Sequence, residues 1–308
     1  MSSGQGRGKV RRVALLVNPL AGHGKALDVA RRARARFAGR GVEVRELIGA
    51  DAEASRELAR QAVADGIDAL VVVGGDGMIH LALPSVVATA TPLGVIPAGT
   101  GNDQAREYGW PRRSPEDAAD VILAGITRSI DVGRAVTADG RATYFGSVLA
   151  AGFDSLVSDR TNRMRWPHGR ARYNVAMLAE FVNLRPLPFV LTLADGTVIE
   201  QDLLLVAVGN TRSYGGGMKI CPGADPGDGL FDVTIGRAAS RRSVLRMMPR
   251  VYRGTHVAKP QVQVVRTTGL RIESAGINAY ADGDHLGPLP ADVSLLPGAV
   301  SVFVPPVQ

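Results

Sequence analysis

Three short turns in this sequence pair glycine with side chains able to handle phosphate or magnesium. The first is Gly74-Gly-Asp-Gly77, which follows four apolar residues, Leu70 to Val73. Such a run reads as a strand buried on both faces of a parallel sheet. Asp76 then sits where strand gives way to helix, among bare backbone amides. Amides at a helix N-terminus bind phosphate oxygens, and a carboxylate beside them can hold the magnesium that accompanies phosphate. The plainer reading is a tight turn in which Asp76 is only a cap. The second turn, Gly99-Thr-Gly-Asn-Asp103, repeats the arrangement after a strand at Leu93 to Pro97. Thr100 and Asn102 offer hydrogen bonds and Asp103 a carboxylate. The third, Asn18-Pro-Leu-Ala-Gly-His-Gly-Lys25, follows a strand at Arg12 to Val17. It is not a Walker A loop, because the leading glycine is missing and Ala26 replaces the magnesium-binding Ser or Thr. Alone it is a plain strand–helix turn. Together the three turns fall at strand ends along one edge of a parallel sheet, which is where open α/β sheets bind ligands.

The elements that must position these turns alternate. The patterning predicts strands at Arg12–Val17, Val42–Ile48, Leu70–Val73 and Leu93–Pro97. Helices are expected from Leu27 to Gly39, Asp51 to Ala64, Met78 to Val87 with an interruption at Pro84, and Ser114 to Ala124, where Ser114 is the N-cap. This is a doubly wound parallel sheet with right-handed crossovers. After Asp131-Val-Gly-Arg134 the texture changes to short strands with hairpin signals at Ala138-Asp-Gly140 and Ala194-Asp-Gly-Thr197. Further strands are expected at Leu203–Val208 and Phe231–Ile235, and helices near Arg172–Asn183 and Arg241–Arg253. The fold class is α/β: an N-terminal doubly wound domain over 1–134 and a mostly antiparallel β domain over 135–294. Residues 295–308 are candidates to complete the first domain.

At 308 residues the chain is long for one core. Its 45% hydrophobic and 21% charged content is that of a globular protein. No run approaches the ~18 apolar residues of a membrane span, and the basic, polar start lacks a signal-peptide core. Cys221 stands alone, so no internal disulfide forms and a reducing cytoplasm is the expected setting. The net charge is +7, and lysine occurs only at Lys9, Lys25, Lys219 and Lys259, so the basic excess is almost wholly arginine. This balance permits anionic partners: nucleic acid, acidic lipid or nucleotide. The aromatic–basic interleaving of single-strand binders is missing, so nucleic acid is not an expected partner.

The sequence resembles the soluble bacterial diacylglycerol kinases, relatives of the sphingosine and ceramide kinases, over nearly its whole length. The resemblance is carried by Asn18-Pro with Gly22, Gly74-Gly-Asp-Gly77, Pro97-Ala-Gly-Thr-Gly-Asn-Asp103, Asp131-Val-Gly133, Ala150-Ala-Gly-Phe-Asp154, Asp225-Pro-Gly-Asp-Gly-Leu-Phe-Asp232 and Asp282-Gly-Asp284. It is strongest to actinobacterial members, through Asn162–Arg170 and Gly209–Gly217. It implies an ATP-dependent lipid kinase with its active site between the domains. Asn18, Pro19, Leu20, Ala21, Gly22, Gly75, Asp76, Gly77, Met78, Ile79, His80, Thr100 and Asn102 would contact the nucleotide. Asp76, helped by Asp103 and Asp131, would organise the catalytic magnesium, and Asp284 would be the catalytic base. Asp225, Asp228 and the Leu230 carbonyl would hold a second, structural magnesium; oxygen-only ligands suit that hard cation. Without the resemblance, that stretch reads as a two-turn loop.

Two departures from the family pattern stand out. Asp284 replaces a glutamate and is one methylene shorter, and Met78 replaces a Thr or Ser whose hydroxyl could touch phosphate. A loop threonine expected near Ile48 or Gly49 is also unmatched. The expected reaction is γ-phosphate transfer from ATP to diacylglycerol, giving phosphatidic acid. Alternatives are another lipid alcohol, an NAD-kinase-like enzyme sharing Gly-Gly-Asp-Gly, and a degenerate nucleotide-binding regulator. The expected partners are ATP, a diacylglycerol-type lipid met peripherally at the inner face of the membrane, and a second copy in a homodimer. Two basic segments could meet that surface: the helix bearing Arg242, Arg246, Arg250 and Arg253, and the stretch from Arg160 to Arg172 around Trp166. The plainer reading of each is a solvated face.

Overall fold

The computed structural model describes residues 9–19, 24–99, 101–110, 114–164, 166 and 170–306, with side chains omitted at 170–174. It divides into two compact units, residues 1–132 with 296–308, and residues 133–295.

In the first unit, β1 (Arg12–Val17), β2 (Glu43–Leu47), β3 (Ala69–Gly74) and β4 (Leu93–Pro97) form a parallel sheet in the order β2-β1-β3-β4. All six residues of β3 are buried, as a strand covered on both faces requires. Helices α1 (Ala26–Ala38), α2 (Ala52–Ala64) and α3 (Asp76–Val86) alternate with them. Helices α1 and α2 turn alanines to the sheet: Ala30, Ala33, Ala59 and Ala62 are at most 4% exposed. Small side chains there let helix and sheet approach closely. Pro84 lies within α3 rather than ending it, and lacking an N–H it gives up one i→i−4 hydrogen bond. A short α4 (Asp103–Glu107) follows the β4 turn, and α5 (Pro115–Leu123) begins at Ser114 with a capping box to Asp117. The strongly basic α1 has its counter-charge on α5. Arg32 grips Glu116 at 2.8 and 2.7 Å, Arg36 grips Asp120 at 2.8 and 2.6 Å, and Arg32 holds the Glu116 carboxyl down to about 2.

Strand β5 (Thr127–Thr137) leads into the second unit, whose strands pair antiparallel. They are β6 (Ala142–Phe145), β7 (Val148–Gly152), β8 (Leu187–Leu193), β9 (Val198–Gly209), β10 (Phe231–Arg237), β11 (Val262–Thr267), β12 (Gly269–Glu273), β13 (Asn278–Ala281), β14 (Asp284–Pro288) and the first part of β15 (Ala291–Phe303), whose second part belongs to the first unit. Long β9 is the hub and pairs with β7, β8 and β10. The core is built on Phe145 and Phe231, stacked at 5.7 Å between centroids, with Phe189, Leu191, Val206, Val233 and Ile272 around them. Two helices, α6 (Phe153–Arg163) and α7 (Arg170–Val182), interrupt the strands, and α8 (Arg241–Arg253) follows β10. The sequence reading had no helix at α6; that stretch is polar and carries no clean apolar stripe. Cys221 is buried and burial pushes its thiol up to about 12, so it has no nucleophilic role. No helix among the described residues is long and apolar enough to cross a membrane.

The chain's end comes back to the first unit. Val302 pairs parallel with Leu93 of β4, Gly298 N–H donates to Asp131 at 2.8 Å, and Trp110 Nε1 donates to the Phe303 carbonyl at 2.9 Å.

Candidate active site

The turns after β3 and β4 are one structure. Each Asp76 carboxylate oxygen accepts a main-chain N–H from the start of α4: Oδ2 from Asp103 at 3.1 Å and Oδ1 from Gln104 at 2.9 Å. Asp76 is thus the first residue of α3 and at the same time caps α4. Asp76 does not cap its own helix, whose N-cap is Gly75; its cap is made across to the second glycine turn. That turn is folded by Asn102, which adopts a left-handed conformation at φ 56°. Its Oδ1 accepts from Gly99 N–H at 3.1 Å and its Nδ2 donates to the Gly99 carbonyl at 2.9 Å.

Glycine at 75 and 99 is demanded by contact rather than by φ. A Cβ on Gly99 would stand 2.5 Å from the Gly75 Cα and 2.8 Å from Asn102 Oδ1. The two backbones touch, and any side chain forces them apart. Gly99→Ala is therefore expected to cost about 1–3 kcal/mol of stability and to weaken nucleotide binding. Denaturant melts with and without Mg-ATP check this; a variant as stable as the parent would show that the turns are free to separate.

Beside this clamp, Met78 is buried with its Cγ over Gly74, where a Cβ would come within 2.5 Å of it. Its N–H closes the first turn of α3 onto the Gly75 carbonyl at 2.9 Å. The Met78 departure thus exchanges a hydroxyl for packing. Ile79 and His80 are also buried in α3, at 1% and 6% exposure. Asp103 is 3% exposed and ion-paired with Arg106, whose guanidinium also donates to the Gly101 carbonyl. Asp131 is equally buried and holds the Gly298 amide, so its demonstrated work is to fix β15. Asn18 is exposed and Pro19 half-buried at the end of β1. Leu20, Ala21, Gly22 and Thr100 lie outside the described residues.

In the second unit, Asp284 opens β14 directly after a two-residue hairpin turn, Asp282-Gly283, with Ala281 opposite Asp284. Both turn residues have positive φ, 53° and 92°, which is the Asp-Gly pattern of a tight hairpin matched to strand twist. Asp284 is exposed at the tip. Asp282 fixes that tip: its two carboxylate oxygens accept from Gly146 and Ser147 N–H, each at 2.8 Å. This positioning role was not read from the sequence, where Asp282 entered only as part of the Asp282-Gly-Asp284 motif. His285 stands edge-on to Tyr280 at 5.2 Å between centroids.

The Asp225–Asp232 loop has the two-turn form expected of the bare sequence. Gly227 N–H donates to Asp225 Oδ1 at 3.1 Å and Leu230 N–H to Asp228 Oδ1 at 3.0 Å. Arg266 donates to Asp228 and approaches Asp232 at 3.6 Å. Asp232 is 4% exposed and its Oδ2 has no hydrogen bond; burial raises its carboxyl, against the pull of Arg266. Among the described residues, no group of three His, Cys, Asp or Glu side chains stands ready for a metal. Oxygen donors of this kind fit magnesium, but a cation there shares Asp228 with a guanidinium. Elsewhere in the unit, burial pushes Asp154 up to about 6, against a hydrogen bond from Tyr214.

Two family models match this architecture. The diacylglycerol kinase catalytic domain matches residues 12–135, and the YegS C-terminal NAD kinase beta sandwich-like domain matches residues 147–304. The chain belongs to the diacylglycerol kinase family of lipid kinases. It is 51% identical over 306 residues to the diacylglycerol kinase of Mycobacterium tuberculosis strain H37Rv, covering 99% of both chains. It is 28% identical over 251 residues to that of Bacillus subtilis strain 168, covering 80% of this chain and 81% of the other. Among solved structures, it superposes on a diacylglycerol kinase from Bacillus anthracis str. Sterne with TM-score 0.72 at 21% identity, covering 97% and 99%. An Archaeoglobus fulgidus NAD kinase in complex with ATP shares the fold, with TM-score 0.55 at 15% identity, covering 96% and 94%.

Proposed function

We propose that this kinase transfers the γ-phosphate of ATP, with magnesium, to the free hydroxyl of diacylglycerol, giving phosphatidic acid. The observation that carries this is the clamp of Gly75, Asp76, Gly99 and Asn102, which presents a carboxylate and bare main chain from two adjacent parallel strands. Phosphoryl transfer asks a protein for positioning and charge neutralisation more than for covalent chemistry. Magnesium, when bound, supplies that neutralisation. Asp76 and Asp103 would hold the catalytic ion, and Asp225, Asp228 and the Leu230 carbonyl the structural one. The glycine turns would orient the triphosphate, and Asp284 is the proposed base that takes the hydroxyl proton.

A relative favours a second reading. The chain is 29% identical over 288 residues to a YegS-like lipid kinase of Stenotrophomonas maltophilia, so another lipid alcohol is the competing acceptor. Labelled-ATP transfer onto a panel of lipids in neutral detergent micelles, with NAD alongside, decides between them. Diacylglycerol is expected to be the best acceptor and NAD to remain unlabelled. A faster sphingoid or other lipid acceptor would reassign the substrate, and no product with ATP still bound would make the chain a regulator.

A further inference from the structure

The arginines of this protein are of two kinds. In the first unit, Arg31, Arg32, Arg34, Arg36, Arg45 and Arg60 each meet a carboxylate. On α8 none of the five arginines has a carboxylate partner among the described residues, and the helix contains no acid at all. Arg241 and Arg242 occupy its first turn, where the positive end of the helix dipole disfavours cations. A helix arranged for its own stability would place acids there.

The face on which these charges lie is equally specific. At 100° per residue, Arg241, Arg242, Leu245, Arg246, Tyr252 and Arg253 share one side, and all six are exposed. Leu245 is 62% and Tyr252 50% exposed. The opposite side packs down: Val251 and Met247 join a buried cluster with Ile220 and Cys221. Ser240 caps the start, and Gly254 closes the end in a left-handed conformation at φ 73°. The helix is therefore fixed to the second unit with its cationic, apolar-studded side outward.

We propose that this face of α8 is the surface by which the enzyme docks on an anionic bilayer. The arginines would meet lipid phosphates while Leu245 and Tyr252 enter the headgroup layer. A polyanion in water would satisfy the arginines but leave the leucine without a use. The other basic segment is the weaker candidate, because Arg160 is ion-paired with Glu180 and Arg163 lies 3.8 Å from Asp159. The proposal rests on the lipid-kinase reading for its purpose but is tested apart from it.

The experiment is co-sedimentation, without ATP, with vesicles of phosphatidylcholine alone or mixed with phosphatidylglycerol. Binding is expected only with the anionic lipid, and to weaken as salt is raised. Each arginine at such a surface contributes roughly a fivefold gain in partitioning, so the R242Q/R246Q/R253Q triple variant should bind about 100-fold less tightly. L245A/Y252A should also bind less while keeping the parent's dependence on salt, whereas the triple variant should lose most of it. Both variants should phosphorylate diacylglycerol in neutral micelles at the parent rate. Parent-like vesicle binding by the triple variant overturns the proposal. So does binding that is lost with Trp166→Ala instead, or a L245A/Y252A variant that binds vesicles as well as the parent. A parent that binds vesicles but phosphorylates no lipid overturns the kinase reading and leaves the docking face standing.

Discussion

Asp284→Asn is expected to lower lipid phosphorylation by about 10²- to 10⁴-fold, the range supplied by a positioned general base. The fold should not change. Asp284 is exposed at a hairpin tip whose shape is set by Asp282 and Gly283, and surface substitutions away from special features stay within about 0.5 kcal/mol. The loss should fall on kcat with ATP binding intact, because asparagine keeps the size and loses only the basicity. Asp284→Glu restores the side chain usual in the family and should recover most of the rate. A kcat for the asparagine variant equal to the parent's removes the residue from the proton-transfer step. Asp282→Ala separates position from chemistry. It deprives two main-chain amides of their acceptor, so it should lower both rate and stability, and the glutamate substitution at 284 should not rescue it.

The second large effect is expected at Asp76. Alanine there leaves the Asp103 and Gln104 amides without their acceptor, which costs about 1–2 kcal/mol by analogy with lost helix caps. It also removes the charge proposed to organise magnesium, so turnover should fall by about 10²- to 10³-fold. Asp76→Asn divides these roles. Its single carbonyl oxygen can keep one of the two amide bonds, so the stability loss should shrink while turnover stays near the alanine level. Calorimetry and steady-state kinetics over a magnesium series measure the two separately. If the asparagine variant turns over like the parent, Asp76 is a structural cap and the magnesium role passes elsewhere.

Much of this was legible before the structure. Four apolar residues ending in Gly74-Gly75 read as an inner strand, and Ser114-Pro-Glu-Asp as the opening of a helix; both are so in the structure. Helix α8 was legible at Arg241–Arg253, and the structure adds that Ser240 caps it and Gly254 ends it. What could not be read was partnership at a distance. Nothing near Asp76 in the chain says that its acceptor atoms serve amides 27 and 28 residues later. The glycines at 75 and 99 looked like phosphate chemistry, and the structure adds that their backbones touch. The arginines of α1 show in the sequence only as positive charge, and Arg32 and Arg36 are met by Glu116 and Asp120, some eighty residues away. Local pattern reports which face is wet; it does not report which other element holds the opposite charge.

The return of the last strand has a consequence for how the polypeptide is born. Phe303 accepts from the Trp110 indole, Val304 bonds the Ile126 carbonyl, and Val302 completes the edge at Leu93. A ribosome emits residues 1–295 before these residues exist. The half that carries the glycine turns must therefore wait, one edge unsealed, while the middle of the chain is already free to fold. A nascent chain stalled anywhere before residue 296 should expose that edge to proteases and chaperones, however well its other half has formed.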